Sequence, residues 1–106
     1  MERVNEYRQQ VQAFLQDFAA DDPSTQVVFD TERDRYLAIH NHWHNDARTY
    51  GCAMHLDIID GQVWIQHNST EIAIDQELRD RGVAKEDIIL GFRSPSVRAL
   101  LAQASA

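Results

Sequence analysis

The stretch that decides the fold is His55-Leu56-Asp57-Ile58-Ile59-Asp60-Gly61-Gln62-Val63-Trp64-Ile65-Gln66-His67. Two runs with apolar residues at alternate positions flank Asp60-Gly61, a dipeptide suited to the left-handed conformations of a two-residue hairpin turn. Closing the chain on that turn pairs Ile58 with Val63 and Leu56 with Ile65, so these four side chains share one face. Asp57 and Trp64 then share the opposite face.

Toward the N-terminus, the run Arg48 to Ile59 carries Tyr50, Cys52, Met54, Leu56 and Ile58 on one face by period-two alternation. In Arg35 to His44, Leu37, Ile39 and Trp43 alternate with Tyr36, Ala38, His40, His42 and His44. The first set is expected to pack and the histidine side to face water. Gln26 to Asp30 supplies a further short strand. The expectation is an antiparallel sheet of about four strands whose apolar side must be covered by helices.

Upstream of the sheet, Val4, Tyr7, Val11, Phe14, Leu15 and Phe18 recur at three- and four-residue spacing, which predicts an N-terminal amphipathic helix from Glu2 to Ala20. Asp21-Asp22-Pro23-Ser24 ends it, because proline disfavours helix at the residue before it. Downstream, Ser69 or Thr70 is expected to cap a helix that holds Ile72 and Leu78 and stops at Gly82. Lys85 to Phe92 reads as a short helix or turn. Ser94-Pro95 opens a last helix, with Val97, Leu100 and Leu101 on one side. The predicted architecture is α+β: the N-terminal amphipathic helix, the sheet, then two or three C-terminal helices packed on one face, in a single domain 1–106.

The composition bounds the function. Seventeen Asp and Glu against ten Lys and Arg leave a net charge of -7 over 106 residues. That argues against an unaided grip on a phosphate backbone and suits a partner with a basic surface. Cys52 is the single cysteine, so no intramolecular disulfide forms. The start, MERVNEYRQQ, is polar, and no apolar run is long enough to span a bilayer. A cytoplasmic protein is expected. Open sheet edges predict a homodimer or higher homo-oligomer.

Few residues suggest chemistry. His40, His42 and His44 project from one strand face, and neighbouring pairs sit at roughly 6.5–7 Å, a spacing that suits two metal ligands but not three on one ion. No helical or paired-cysteine metal motif accompanies them, and neither metal nor cofactor is assigned. Cys52 falls in an apolar stripe, where a thiol packs rather than reacts. His55 and His67 have opposite strand parity, so no catalytic pair is indicated, and no catalytic residue is assigned. The charged run Asp30-Thr31-Glu32-Arg33-Asp34-Arg35 reads either as an exposed hairpin with local ion pairs or as a recognition loop. In the second reading Asp30, Glu32, Arg33 and Asp34 meet a partner, with Tyr36 and Trp64 as aromatic anchors. Arg79, Arg81, Lys85, Arg93 and Arg98 gather half of the cations late in the chain, the one place where direct contact with DNA would arise.

The residues also carry a family resemblance. Phe29-Asp30-Thr31-Glu32-Arg33-Asp34 with Tyr36, then Trp43, Arg48, Tyr50-Gly51-Cys52, His55-Leu56-Asp57-Ile58, Asp60-Gly61, Trp64-Ile65-Gln66-His67-Asn68, Thr70-Glu71-Ile72 and Lys85-Glu86-Asp87-Ile88 resemble the fdxN element excision controlling factor family of XisI-like proteins. The likeness runs in one register from Tyr7 to Arg98. It departs at the tail, where Ser94-Pro95 stands in place of a Pro-Pro turn, and Leu101, Gln103 and Ser105 replace the family's usual ending. The resemblance implies a small α+β protein of largely cyanobacterial distribution. It further implies a role in developmentally controlled excision of a DNA element beside a separate site-specific recombinase, and an XisH-like, nuclease-related companion. It implies no catalytic residue. Control through protein contacts is the leading expectation. The alternatives are a direct DNA-binding helper and, behind that, a small metal enzyme built on the histidine strand.

Overall fold

The computed structural model describes the backbone of residues 2–105 and the side chains of residues 3–101. Helix α1 (Glu2–Ala19) leads into five strands and two further helices: β1 (Thr25–Asp30), β2 (Arg35–His44), β3 (Ala47–Ile59), β4 (Gln62–Asn68), α2 (Ile74–Asp80), β5 (Ile88–Leu90) and α3 (Pro95–Ser105). The strands form one sheet in the order β1-β2-β3-β4-β5. The first four are antiparallel, and the Asp60-Gly61 hairpin closes with the predicted pairs Ile58 with Val63, Asp57 with Trp64 and Leu56 with Ile65. Asp60 and Gly61 both take positive φ, 52° and 76°, as that turn requires.

The sheet differs from the expectation in one strand. Ile88–Leu90 pairs in parallel with Val63–Ile65, so the sheet is mixed and five-stranded. A 3-10 turn at Lys85–Asp87 delivers the chain to this edge, and the run from Lys85 is a turn followed by a strand. Helix α2 also starts later than expected. Ser69 and Thr70 do not cap it: Thr70 donates to the Asn68 carboxamide and accepts from the Ile72 amide, an Asx and ST pair of turns that uses up the local polar groups before any helix begins. Its C-terminus is as read. Gly82 has φ 103°, and the amides of Gly82 and Val83 donate to the carbonyls of Arg79 and Leu78, a Schellman closure.

One face of the sheet holds the core. Tyr7, Val11, Phe14 and Leu15 of α1 are buried with Tyr36, Ala38, Met54, Leu56, Ile58, Val63 and Ile65 of the sheet and Ile74 and Leu78 of α2. The packing side of β2 is therefore Tyr36 and Ala38, and the expectation that Leu37, Ile39 and Trp43 would pack inward is reversed. Tyr36 lies inside because its cross-strand partner is Leu56, which the hairpin commits to the core. Parity in β3 is broken by a bulge. Ala38 pairs with Met54 but Ile39 pairs with Cys52, so Ala53 is the extra residue and both Ala53 and Met54 are buried. Everything on the N-terminal side of Ala53 is flipped. Cys52 and Tyr50 consequently join Ile39 on the outer face rather than Met54 and Leu56 in the core.

Helices lie on both sides of the sheet, not on one. Helices α1 and α2 cover the inner face, whereas the Arg98 guanidinium of α3 stacks at 5.0 Å over the ring of Trp64, an outer-face residue. No described helix is long and apolar enough to cross a membrane.

The turn from α1 to β1 holds a carboxylate with an acid signature. Asp22 accepts from the Ser24 hydroxyl and amide and from the Thr25 hydroxyl, and these bonds, the Ser24 hydroxyl foremost, lower its pKa from 3.8 to about 2. Stability from this group is complete above pH 3.8 and is lost as the pH falls through about 2, because the unfolded chain binds the proton first. Asp22→Asn is expected to flatten the acid limb of an unfolding titration across that window. An unchanged slope would show that the turn is not coupled to folding.

Candidate functional site

The charged run between β1 and β2 folds into a rigid turn. Asp30 accepts from the amides of Glu32 and Arg33 at 3.1 and 3.0 Å and from the Arg33 guanidinium at 3.1 Å, and its pKa is lowered, chiefly by the Arg33 amide. Asp34 takes φ 54°, a conformation that Asp and Asn tolerate better than most residues. Arg8 of α1 grips its carboxylate with both Nε and Nη2, at 2.8 and 2.9 Å, and the Tyr36 hydroxyl donates to it at 2.8 Å. Such forked contacts fix geometry as well as supply energy. The Arg8 hydrogen bond is the main cause of the lowered Asp34 pKa, while burial first, and the bond to Asp34 second, push the Tyr36 phenol up to about 12. The Ile58 amide donates to the Asp34 carbonyl at 2.9 Å. The turn is thus tied to α1, β2 and β3.

This geometry sorts the predicted partner-binding residues. Asp30, Arg33 and Asp34 hold the turn together, and Thr31 and Glu32 stand exposed at its apex. Tyr36 is fully buried, with its ring 5.7 Å from that of Phe29, so it does not serve as an anchor for a partner. Trp64 does share a surface with the turn. Asp30, Arg35, Asp57 and Trp64 are successive register partners, a row across the outer face in which the end residues are three strand spacings, roughly 15 Å, apart. Sequence alternation linked Asp57 to Trp64, but Arg35 joins them only through the β2–β3 register, and Asp30 only through the β1–β2 register.

The outer face continues up the long β2–β3 hairpin. Trp43 and Tyr50 are 64% and 66% exposed, and the Arg48 guanidinium lies 5.1 and 5.7 Å from their ring centroids, an aromatic–cation–aromatic stack. Arg48 also donates to the Asn41 side chain. Strict alternation hid this cluster because it placed Trp43 among packing residues and Tyr50 in the core.

The residues considered for chemistry do not assemble a reactive centre. Burial raises the Cys52 pKa, and its thiol donates to the Met54 carbonyl at 3.3 Å. His55 contacts Asp57 at 2.8 Å. A second bulge makes His67 the register partner of His55, correcting the opposite parity inferred from the sequence, yet among the described residues no hydroxyl or thiol nucleophile joins them. His40 Nδ1 lies 3.1 Å from the Thr25 hydroxyl, and its ring meets that of His42 edge-on, whereas His44 is exposed near the hairpin tip. Among the described residues no three metal-ligating side chains converge.

The late cations divide. Arg81 turns back to Asp17 at 3.0 Å and to the ring of Phe14, and Arg93 stacks on Phe92. Arg79, Lys85 and Arg98 do line one cleft of about 940 Å³ beside β5, but Asp75 and Glu86 line it too.

Comparison with known proteins agrees with this architecture. The XisI-like protein from Anabaena variabilis ATCC 29413 is 36% identical, with a TM-score of 0.85 over 92% of this chain and 94% of that one. The fdxN element excision controlling factor XisI from the same organism is 31% identical, with a TM-score of 0.77 and the same coverage. No functionally curated protein matches the sequence. The sequence profile of the family described as XisI protein matches residues 1–104, nearly the whole length, and the chain belongs to the XisI protein family.

Proposed function

We propose that this chain is an accessory controlling factor in the programmed excision of a DNA element of the fdxN type, acting through protein contacts and not as an enzyme. Its partner in this reading is an XisH-like, nuclease-related protein, with a site-specific recombinase as the other candidate. The observation that carries the reading is the braced acidic turn. A chain of net charge -7 presents Glu32 on a loop whose backbone is fixed by Asp30 and Asp34, and a preformed loop loses little entropy when a basic surface docks on it. Membership of the XisI family and the likeness to a protein described as an excision controlling factor supply the biological setting.

The test is co-purification with the XisH-like protein of the same cell. Glu32→Arg is expected to weaken that complex about tenfold or more, as charge reversal at an interface does, while leaving the fold intact because Glu32 is exposed at the apex of the turn. An unchanged affinity would remove the acidic turn from the interface. The cleft with Arg79, Lys85 and Arg98 supports direct DNA contact as the second reading. Salt-dependent retardation of element-end DNA by the protein alone would favour it; the first reading expects none at low salt.

A further inference from the structure

We propose that the free edge of β1 is where two copies of this chain meet, their β1 strands pairing antiparallel about a two-fold axis at Val28 to make one continuous sheet. Strand β1 ends the sheet order, and Gln26 and Val28 are exposed. The direction of its backbone groups follows from the register. The Asn41 amide donates to the Ser24 carbonyl at 2.8 Å, one step beyond the pair Thr25 with His40. Hydrogen-bonded pairs alternate along an antiparallel ladder, so Ser24, Gln26, Val28 and Asp30 turn their backbone groups toward β2. Those of Thr25, Val27 and Phe29 point away from the sheet. The Thr25 amide is already taken by the Asp22 carbonyl at 3.0 Å, which leaves the amides of Val27 and Phe29 as the outward donors.

This edge carries none of the devices that keep strands apart. Thr25 to Phe29 contains no lysine, proline or glycine, and its ladder with β2 runs without a bulge, whereas edges that stay exposed in monomers are blunted by such features. The opposite edge differs. Strand β5 is three residues long, and the Gly91 and Arg93 amides fold back onto the carbonyls of Ile89 and Leu90. The occupant of the β1 edge is a second copy because the strand complements itself. An axis at Val28 sets Val27 of each copy opposite Phe29 of the other, so the outward amides of both chains meet carbonyls. It also sets Val28 against Val28 in the closer, non-hydrogen-bonded kind of pair, covering a valine that is 48% exposed. Charge agrees with this choice. The chain is at -7, yet Thr25 to Phe29 is uncharged, and Asp30, which falls opposite Gln26 of the other copy, is already paired with Arg33 at 3.1 Å. Two copies approach along β1 without setting like charges against each other.

Sedimentation equilibrium of the full chain tests the arrangement, together with a cysteine placed at the axis. A concentration-dependent dimer is expected. Val28→Lys should raise its dissociation constant about tenfold or more with an unchanged circular dichroism spectrum, because this side chain lies outside the core. In a Cys52→Ser background, Val28→Cys should form an intermolecular disulfide on mild oxidation, since the α-carbons of such a pair sit about 4.5 Å apart. Gln26→Cys should not, because the same axis holds its two copies roughly 14 Å apart. A chain that stays monomeric at every concentration overturns the proposal. So does a dimer that ignores Val28→Lys or fails to link through Val28→Cys, since it uses another surface or another register. Loss of XisH-like partner capture by Val28→Lys in a chain already monomeric would give the edge to that partner and likewise overturn it.

Discussion

Tyr36→Ala is expected to cost about 3–5 kcal/mol, the range for removing an aromatic ring from a packed core. Tyr36 is among the largest fully buried side chains, between Phe29 and the Leu56 row. Against the roughly 5–15 kcal/mol that stabilises a typical domain, that loss leaves a marginal fold, read as a large fall in the urea midpoint. Tyr36→Phe separates packing from hydrogen bonding. It keeps the ring and removes only the donor to Asp34, so it should cost about 1 kcal/mol. If Tyr36→Ala were instead as mild as a surface change, the reversal of the β2 packing face would be wrong.

The second large effect is expected at Asp34. Asp34→Ala removes the acceptor for Arg8 and for the Tyr36 hydroxyl, and it leaves that hydroxyl half-enclosed without its partner, a loss of about 1–3 kcal/mol. It also places a β-carbon without a local hydrogen bond at φ 54°, for roughly 1 kcal/mol more. Asp34→Gly should recover the backbone part but not the polar part, and Asp34→Asn should be the mildest of the three. The carboxylate adds a pH dependence. Its pKa is lowered in the folded chain, so its contribution is present above the ordinary carboxylate range and is lost on acidification. If the three variants unfolded at the same midpoint, the turn would not be braced as described. The same series bears on function: a loosened turn should weaken partner binding in step with Glu32→Arg, although Asp34 itself is turned inward.

Much of this was legible in the sequence, and the exceptions have identifiable physical causes. Asp60-Gly61 specified both a turn type and a register, and that register carried the pairing of Leu56, Ile58, Val63 and Ile65. The periodicity of Val4 to Phe18 specified α1 because 3.6-residue spacing persists over several turns. Alternation then failed at Ala53, where one additional residue reverses every side chain upstream; a bulge leaves no compositional mark beyond the small residues Gly51-Cys52-Ala53. The inversion of β2 has a different cause: Leu37, Ile39 and Trp43 are the more apolar set of an unbroken alternation, yet Tyr36 and Ala38 are the ones paired with the core residues Leu56 and Met54. Tyr36 is amphipathic and by sequence suits an anchor, whereas its hydroxyl reaches Asp34 at the rim of the core and its ring is enclosed. Strand β5 was hidden because a three-residue parallel strand has too short a period to register, and its pairing depends on β4 rather than on its own sequence. Arg8 was invisible as a site residue, since the contact that braces Asp34 spans 26 positions.

The most direct measurement of the central claim is a reconstituted nuclease assay of the XisH-like protein on DNA carrying the element ends, with and without this chain. The expected result is a stable complex whose cleavage differs in rate or position from that of the partner alone, with Glu32→Arg suppressing the difference. A partner that forms no complex and cleaves equally well in its absence would contradict control through protein contacts.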